Sequence, residues 1–233
     1  SVPAFRTDIL HELDLIDDVG RAYGFDRLVP ESPSTHAIGG LHKVSVIAKE
    51  LRSVMVGLGF LEALPLILTS KEDQFEKMNR SDEQCVEIAN PKTNEITVAR
   101  KYILPELLKC LTYNKHNEYP QKLFEVGDTL WIDQNEETSA KTMTKLACVI
   151  TSDTANYGEI SSVCDAVMKT FHIAYHKKPY EHDSFIDGRA AEIIVKDKRV
   201  GIIGEFHPQV LNNWKLDKPV VGFELEVEKL FEK

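Results

Sequence analysis

The run from Asn90 to Ile132, NPKTNEITVARKYILPELLKCLTYNKHNEYPQKLFEVGDTLWI, constrains this chain most, because its hydrophobic period switches from helical to extended within one segment. Asn90-Pro91 opens a turn, and Asn94 keeps the backbone irregular as far as Ile96. Leu104, Leu107, Leu108 and Leu111 then recur at i, i+3, i+4 and i+7, the apolar stripe of a helix. Pro105 falls in its first turn, where the missing N–H has no intrahelical partner to lose. After Pro120 the period becomes two. Phe124, Val126, Leu130 and Ile132 share one face, interrupted by Asp128, while Leu123 and Trp131 lie on the other. That pattern predicts a strand partly covered on both sides. Arg100 and Glu125 are the only charged residues of the run beside core positions, and neither is an obvious catalytic group.

The rest of the chain reads as a mixture of helices and hairpin-linked strands. Residues 7 to 23 predict a helix with Ile9, Leu13, Ile16 and Tyr23 on one face and Gly24 beyond its end. Residues 29 to 40, rich in Pro, Gly and small polar side chains, read as a linker. A second helix carries Val44, Ile47, Ala48, Leu51, Met55 and Leu58 and stops near Gly59. Leu61 to Thr69 is apolar enough for a covered strand, broken by Pro65. A short helix over 71 to 79 and a short strand over 85 to 89 follow. Strands are expected at 146 to 151, 190 to 196, 199 to 205 and 220 to 227, with helices from Ile160 to Phe171 and from Pro208 to Trp214. Strands joined by hairpins with helices between them predict an α+β fold with an antiparallel sheet rather than a βαβ series.

A chain of 233 residues holds one large domain, or one with an appendage. Its net charge of -9 argues against a broad DNA- or RNA-binding face, which needs clustered Lys and Arg. Cys85, Cys110, Cys148 and Cys164 form no C-x-x-C pair, and reduced thiols of a cytoplasmic protein are the plain expectation. No apolar run approaches the roughly 20 residues of a membrane span. Ser1 reads as a cut inside a larger chain.

Six segments together carry a resemblance. TDILHELDLIDDVGRAYGFD (Thr7 to Asp26), NPKT at Asn90, VARKYILPELL at Val98, LFEVGDTL at Leu123, GRAAEIIV at Gly188 with VGIIGEFHP at Val200, and FELEV at Phe223 resemble, in order, the β subunit of phenylalanyl-tRNA synthetase, in its archaeal or eukaryotic style. The resemblance implies three parts: residues 1–28 as the C-terminal helix of a B5 domain, 29–40 as a linker, and 41–233 as a class II synthetase-like core of antiparallel sheet flanked by helices. It implies further that this subunit supports the ATP-dependent charging of tRNA(Phe) by an α subunit, in an (αβ)2 heterotetramer, and does no chemistry itself.

The residues agree with the last point. Class II chemistry needs an Arg-x-Glu pair on a strand to hold the ATP α-phosphate, and a Gly-rich segment ending in a second Arg. Here Arg100 is followed two positions later by Tyr102, and the final strands carry only the scattered Gly201, Gly204 and Gly222. No Gly-x-Ser-x-Gly elbow, Walker loop or dinucleotide loop is present.

The sharpest site candidate is Asp8, Asp14, Asp17 and Asp18. On a helix the last three fall within an arc of about 100°. By spacing alone that is either a solvated acidic face or a set of hard oxygen ligands suited to Mg²⁺. The resemblance assigns acidic residues at these positions to Mg²⁺ at the α–β contact. His172, His176, His182 and Asp183 cannot align on one helix, and read as surface. Arg189 after Gly188 is the one other charge expected to face a ligand. Val54 broadens the stripe that ends at Leu58, and with Phe60 and Pro65 it predicts a contact with a partner subunit. The rivals to this reading are a free-standing Mg²⁺-dependent enzyme built on the aspartates, which lacks a base or phosphate loop nearby, and a tRNA-binding module.

Overall fold

The computed structural model describes residues 2–34, 38–93 and 95–232. The chain divides into two compact units, Ser1–Gly40 and Leu41–Lys233.

The first unit contains helix α1, Glu12–Tyr23, and a 3-10 turn at Phe25–Arg27. The helix begins five residues later than its apolar period predicts. His11 is the N-cap, its ring accepting the Leu13 N–H at 3.2 Å, and Asp14 reaches back to the N–H groups of Leu10 and His11 at 2.8 Å each. This reciprocal arrangement satisfies the open donors of the first turn, so the helix has a fixed start there. None of its residues is buried, and Leu13, Ile16, Val19 and Tyr23 stand exposed. Of the linker expected over 29 to 40, residues 35–37 lie outside the described residues, as does Asn94; the others of 29 to 40 are exposed and irregular.

The second unit is built on a sheet. In chain order it comprises α2 (Lys43–Gly57), β1 (Leu61–Glu62), β2 (Leu68–Thr69), α3 (Lys71–Gln74), β3 (Val98–Ala99), α4 (Leu104–Tyr113), β4 (Gln121–Ile132), β5 (Ala140–Thr151), α5 (Tyr157–Thr170), β6 (His176–Pro179), β7 (Phe185–Val195), β8 (Lys198–Phe206), α6 (Pro208–Asn213), β9 (Val220–Glu226) and α7 (Val227–Leu230). Seven strands pair in the order β1-β4-β5-β9-β8-β7-β6, antiparallel except for β1 beside β4; β2 and β3 form a separate pair. The fold is α+β, as expected.

Alternation along the strands separates two cores. On one face Phe124, Cys148, Ile150, Ile193, Phe223 and Leu225 meet Leu51 and Met55 of α2, and Ile160, Cys164 and Val167 of α5. On the other, Ala147, Val149, Ile202 and Val220 meet Leu104, Leu107, Leu108 and Leu111 of α4.

Local differences from the sequence reading have physical causes. Leu61 to Thr69 is not a covered strand: it splits into β1 and β2 around Pro65, and Leu61, Leu64 and Leu66 face solvent. Cys85 to Ala89 yields only a single bridge, Glu87 to Val98. β5 starts earlier than hydrophobicity alone suggests because its polar first residues continue the ladder with β4, and β7 because buried Phe185 pairs with Phe206 ahead of an irregular stretch that ends at Ala190. Edge strand β6, HKKP, has no apolar alternation to announce it. The hairpin turn falls on Lys196 and Asp197, both at positive φ (48° and 62°).

Candidate functional site

The four aspartates are each held by a local partner. Asp8 precedes the helix and takes two bonds from Arg6, 2.9 Å from Nε and 2.8 Å from Nη2; the same Nη2 reaches Asp18 at 2.8 Å. The Arg6 guanidinium holds the Asp8 carboxyl down at about 2. Asp14 completes the capping box of α1 opposite His11, and Asp17 pairs with Arg21 one turn on, at 2.8 Å. Thus Asp8 and Asp18 gather around one positive charge, while Asp14 and Asp17 point to other tasks. Among the described residues no group of three or more His, Cys, Asp or Glu side chains is placed to hold a metal ion. As arranged, the four carboxylates do not fit a single Mg²⁺.

The contact residues expected on α2 and after it are placed mostly inward. Phe60 is fully buried in the core, and Val54 and Leu58 pack half-buried against it. Pro65 is half-buried. The uncovered apolar surface lies between and beside them: Val56 is 59% exposed, Leu61 71%, Leu64 79% and Leu66 68%. A cavity of about 510 Å³ adjoins it, lined by Leu58, Leu61, Pro120 and Leu123.

The α4 face of the sheet carries buried charge. Arg100 donates Nη1 to Glu125 Oε2 at 3.0 Å, Nη2 to the other Glu125 oxygen, and Nε to the Asp128 carbonyl at 2.9 Å. Both side chains are buried, and desolvation pushes the Glu125 carboxyl up although Arg100 pulls it down. Gly127 is required beneath them: a Cβ there would stand 2.6 Å from Arg100 Nη2 and closer still to Glu125. Beside this pair, Lys145 Nζ bonds Glu224 at 2.8 Å and the Lys101 carbonyl at 2.9 Å. The other Glu224 oxygen accepts the N–H groups of Ile103 and Leu104 at 2.8 and 3.0 Å, so it caps α4, whose own N-cap residue offers no side-chain acceptor. Lys145 and these two donors hold the Glu224 carboxyl below its ordinary value against the opposing effect of burial.

Arg189, on β7 after Gly188 at φ 72°, has its side chain 58% exposed and its Nη1 2.6 Å from Glu205. Glu205 also accepts the Tyr157 N–H at 2.7 Å at the start of α5. The pair borders a cavity of about 340 Å³. His172 and His176 lie apart at the end of α5 and the start of β6. His182 is not a surface residue: it is half-buried between the rings of Tyr180 and Phe185.

The Lys145–Glu224 pair and the His182 environment were not anticipated. A signal was present for the first. Lys145 opens the apolar run KLACVIT, and Glu224 interrupts the apolar run of VVGFELE before the Glu226 that ends the strand. A lone charge at an inward position of a strand implies a partner across the sheet.

A protein-family model described as "Phenylalanyl tRNA synthetase beta chain CLM domain" matches residues 28–227, nearly all of the second unit. The chain belongs to this family. A second model, "tRNA synthetase B5 domain", matches residues 1–25. The phenylalanine–tRNA ligase beta subunit of Methanocaldococcus jannaschii is 41% identical over 227 residues, 97% of this chain and 41% of that protein. Those of Pyrococcus horikoshii and Archaeoglobus fulgidus are 42% identical over 229 and 39% over 234 residues, covering 41% and 42% of their lengths. The chain therefore spans about two fifths of the length of the curated relatives it matches. Arg100 has all three of its donor nitrogens engaged inside the protein.

Proposed function

We propose that this chain is the scaffold and interface part of a phenylalanine–tRNA ligase β subunit. In this reading an α subunit performs the ATP-dependent charging of tRNA(Phe) with phenylalanine, in an (αβ)2 assembly, and this chain contributes no catalytic residue. The observation that carries the reading is the closure of the Arg100 face. A guanidinium forked onto Glu125 and bonded to the Asp128 carbonyl has each of its three nitrogens bonded and is buried away from any phosphate, and freeing it would leave Glu125 buried without its cation.

The uncovered strip at Val56, Leu61, Leu64 and Leu66 supports a partner contact next to the expected residues Val54, Leu58, Phe60 and Pro65. The four thiols are unpaired and three of them buried, which suits a reducing, cytoplasmic setting. The net charge of -9 argues against a broad tRNA-binding face on this chain. Co-expression with an α subunit from a related archaeal enzyme tests the interface: the two chains should elute together and Leu64→Asp should separate them. Independent elution of the unaltered chains contradicts it.

Mg²⁺ at Asp8, Asp14, Asp17 and Asp18 is proposed for the assembled enzyme alone. The chain by itself already spends these carboxylates on Arg6, Arg21 and the helix cap. Added Mg²⁺ should leave its thermal melting unchanged, whereas calcium-insensitive stabilisation that Asp18→Asn removes would show that the chain binds the metal unaided.

A further inference from the structure

On the charged face of the sheet, a cavity of about 380 Å³ is lined by Lys145, Glu224, Tyr102, Arg80, His182 and Arg199. The carboxylates that border it are already answered. Glu83 receives Lys101 Nζ at 2.6 Å and the Tyr102 hydroxyl at 2.9 Å; Glu224 receives Lys145 and two backbone N–H groups; Glu226 pairs with Lys229 at 2.7 Å. Lys145 and Lys229 are thereby spent, and Arg199 has Glu192 at 3.3 Å. Arg80 is left over. Its guanidinium lies on the Tyr102 ring, 4.0 Å from the centroid, and among the described residues it makes no ion pair. Its Nε is buried with no hydrogen-bond partner. A guanidinium stacked on a ring keeps its N–H donors in plane, and that fork matches the paired oxygens of a carboxylate or phosphate. The aromatic faces are themselves occupied by cations: Arg80 and Lys145 on Tyr102, Arg199 on Tyr180. The cavity thus offers charge rather than a stacking platform.

We propose that this cavity binds a small oxyanion, a phosphate or carboxylate group seated on the Arg80 guanidinium with Arg199 at its outer side. The site lies wholly within the second unit and does not depend on the assembly reading. It gives an excess positive charge in an acidic chain a partner that the protein does not supply. His182 reports on its filling. Burial pushes the His182 imidazole down to about 4, Arg80 and Arg199 push the same way, and Asp183 and Glu83 oppose them. An anion on Arg80 cancels part of that positive field and raises the value.

The test is a titration of the 233-residue chain with sodium phosphate, and separately with sodium acetate, at constant ionic strength set by chloride, reading the His182 ring signals by NMR across pH. Saturable shifts with a His182 pKa raised by about one unit are expected. Saturation by phosphate assigns the site to phosphate, and by acetate to carboxylate. Arg80→Gln should abolish saturation and itself raise the His182 pKa, Arg80→Lys should weaken binding by about tenfold through loss of the fork, and the rim variant Arg199→Gln should weaken it in a protein whose buried contacts are intact. No saturable response to either anion beyond that to chloride, or full phosphate binding by Arg80→Gln or Arg199→Gln, overturns the proposal.

Discussion

The two faces of the seven-stranded sheet are made by the same strands and hold together by different means. The face under α2 and α5 is apolar throughout, from Phe124 and Cys148 to Phe223 and Leu225. The α4 face mixes Ala147, Val149 and Val220 with the buried charges Arg100, Glu125, Lys145 and Glu224. Because side chains alternate, β9 alone gives Phe223 and Leu225 to the first face and Glu224 to the second. Apolar neighbours are interchangeable within limits of volume; a buried carboxylate is not, since removing its cation leaves an uncompensated charge. The apolar face therefore tolerates substitution better than the charged one.

The largest effect is therefore expected on the charged face. Lys145→Met strands Glu224 and should cost about 3–5 kcal/mol in urea unfolding. Adding Glu224→Gln should recover part of that loss, because the amide oxygen still accepts from Ile103 and Leu104. Ile203→Val on the apolar face should cost only about 0.5–1.5 kcal/mol. Equal losses at the two positions would erase the contrast.

Acid titration sharpens it further. Glu224 has a lowered carboxyl in the folded chain, so its contribution is present above the unfolded value and lost as pH falls through the folded one. Glu106, buried in α4, is raised by desolvation, so the folded state holds its proton more tightly; that contribution favours folding at low pH and fades as pH climbs through the raised value. Glu106→Gln should thus make unfolding midpoints fall less as pH rises from the ordinary carboxylate range through the raised folded value, and Glu224→Gln should make them fall less on acidification. Opposite slopes would contradict the assignment of the two environments.

The smallest effect on stability is expected outside both cores. Leu64→Asp should change unfolding free energy by no more than about 0.5 kcal/mol, while abolishing co-elution with an α subunit. A large stability loss would mean that Leu64 is packed and that the strip is not free for a partner.

How far the sequence revealed this depended on whether hydrophobic period and burial agree. In α4 they do: the four leucines at helical spacing are all buried, and Pro105 sits in the first turn. In β4 they agree at Phe124 and Val126, but Ile132 at the strand's end is exposed and Glu125 is buried. Arg100 and Glu125 stood out as charges beside core positions, yet that they meet follows from tertiary packing over Gly127, which no local period encodes. Leu61 to Thr69 misled for the opposite reason, since its apolar residues are exposed and periodicity cannot tell an interior from an uncovered surface. The aspartates were legible as a set, and their division among Arg6, Arg21 and the helix cap was not, because it depends on the backbone before Glu12 leaving the helix.

The proposal that this chain alone does not activate an amino acid rests on Arg100 being engaged within the protein. Phenylalanine-dependent exchange of labelled pyrophosphate into ATP, measured on the purified chain free of any α subunit, tests it most directly. The account predicts no exchange above the background without phenylalanine. Exchange that requires phenylalanine and disappears in Arg100→Ala would contradict it.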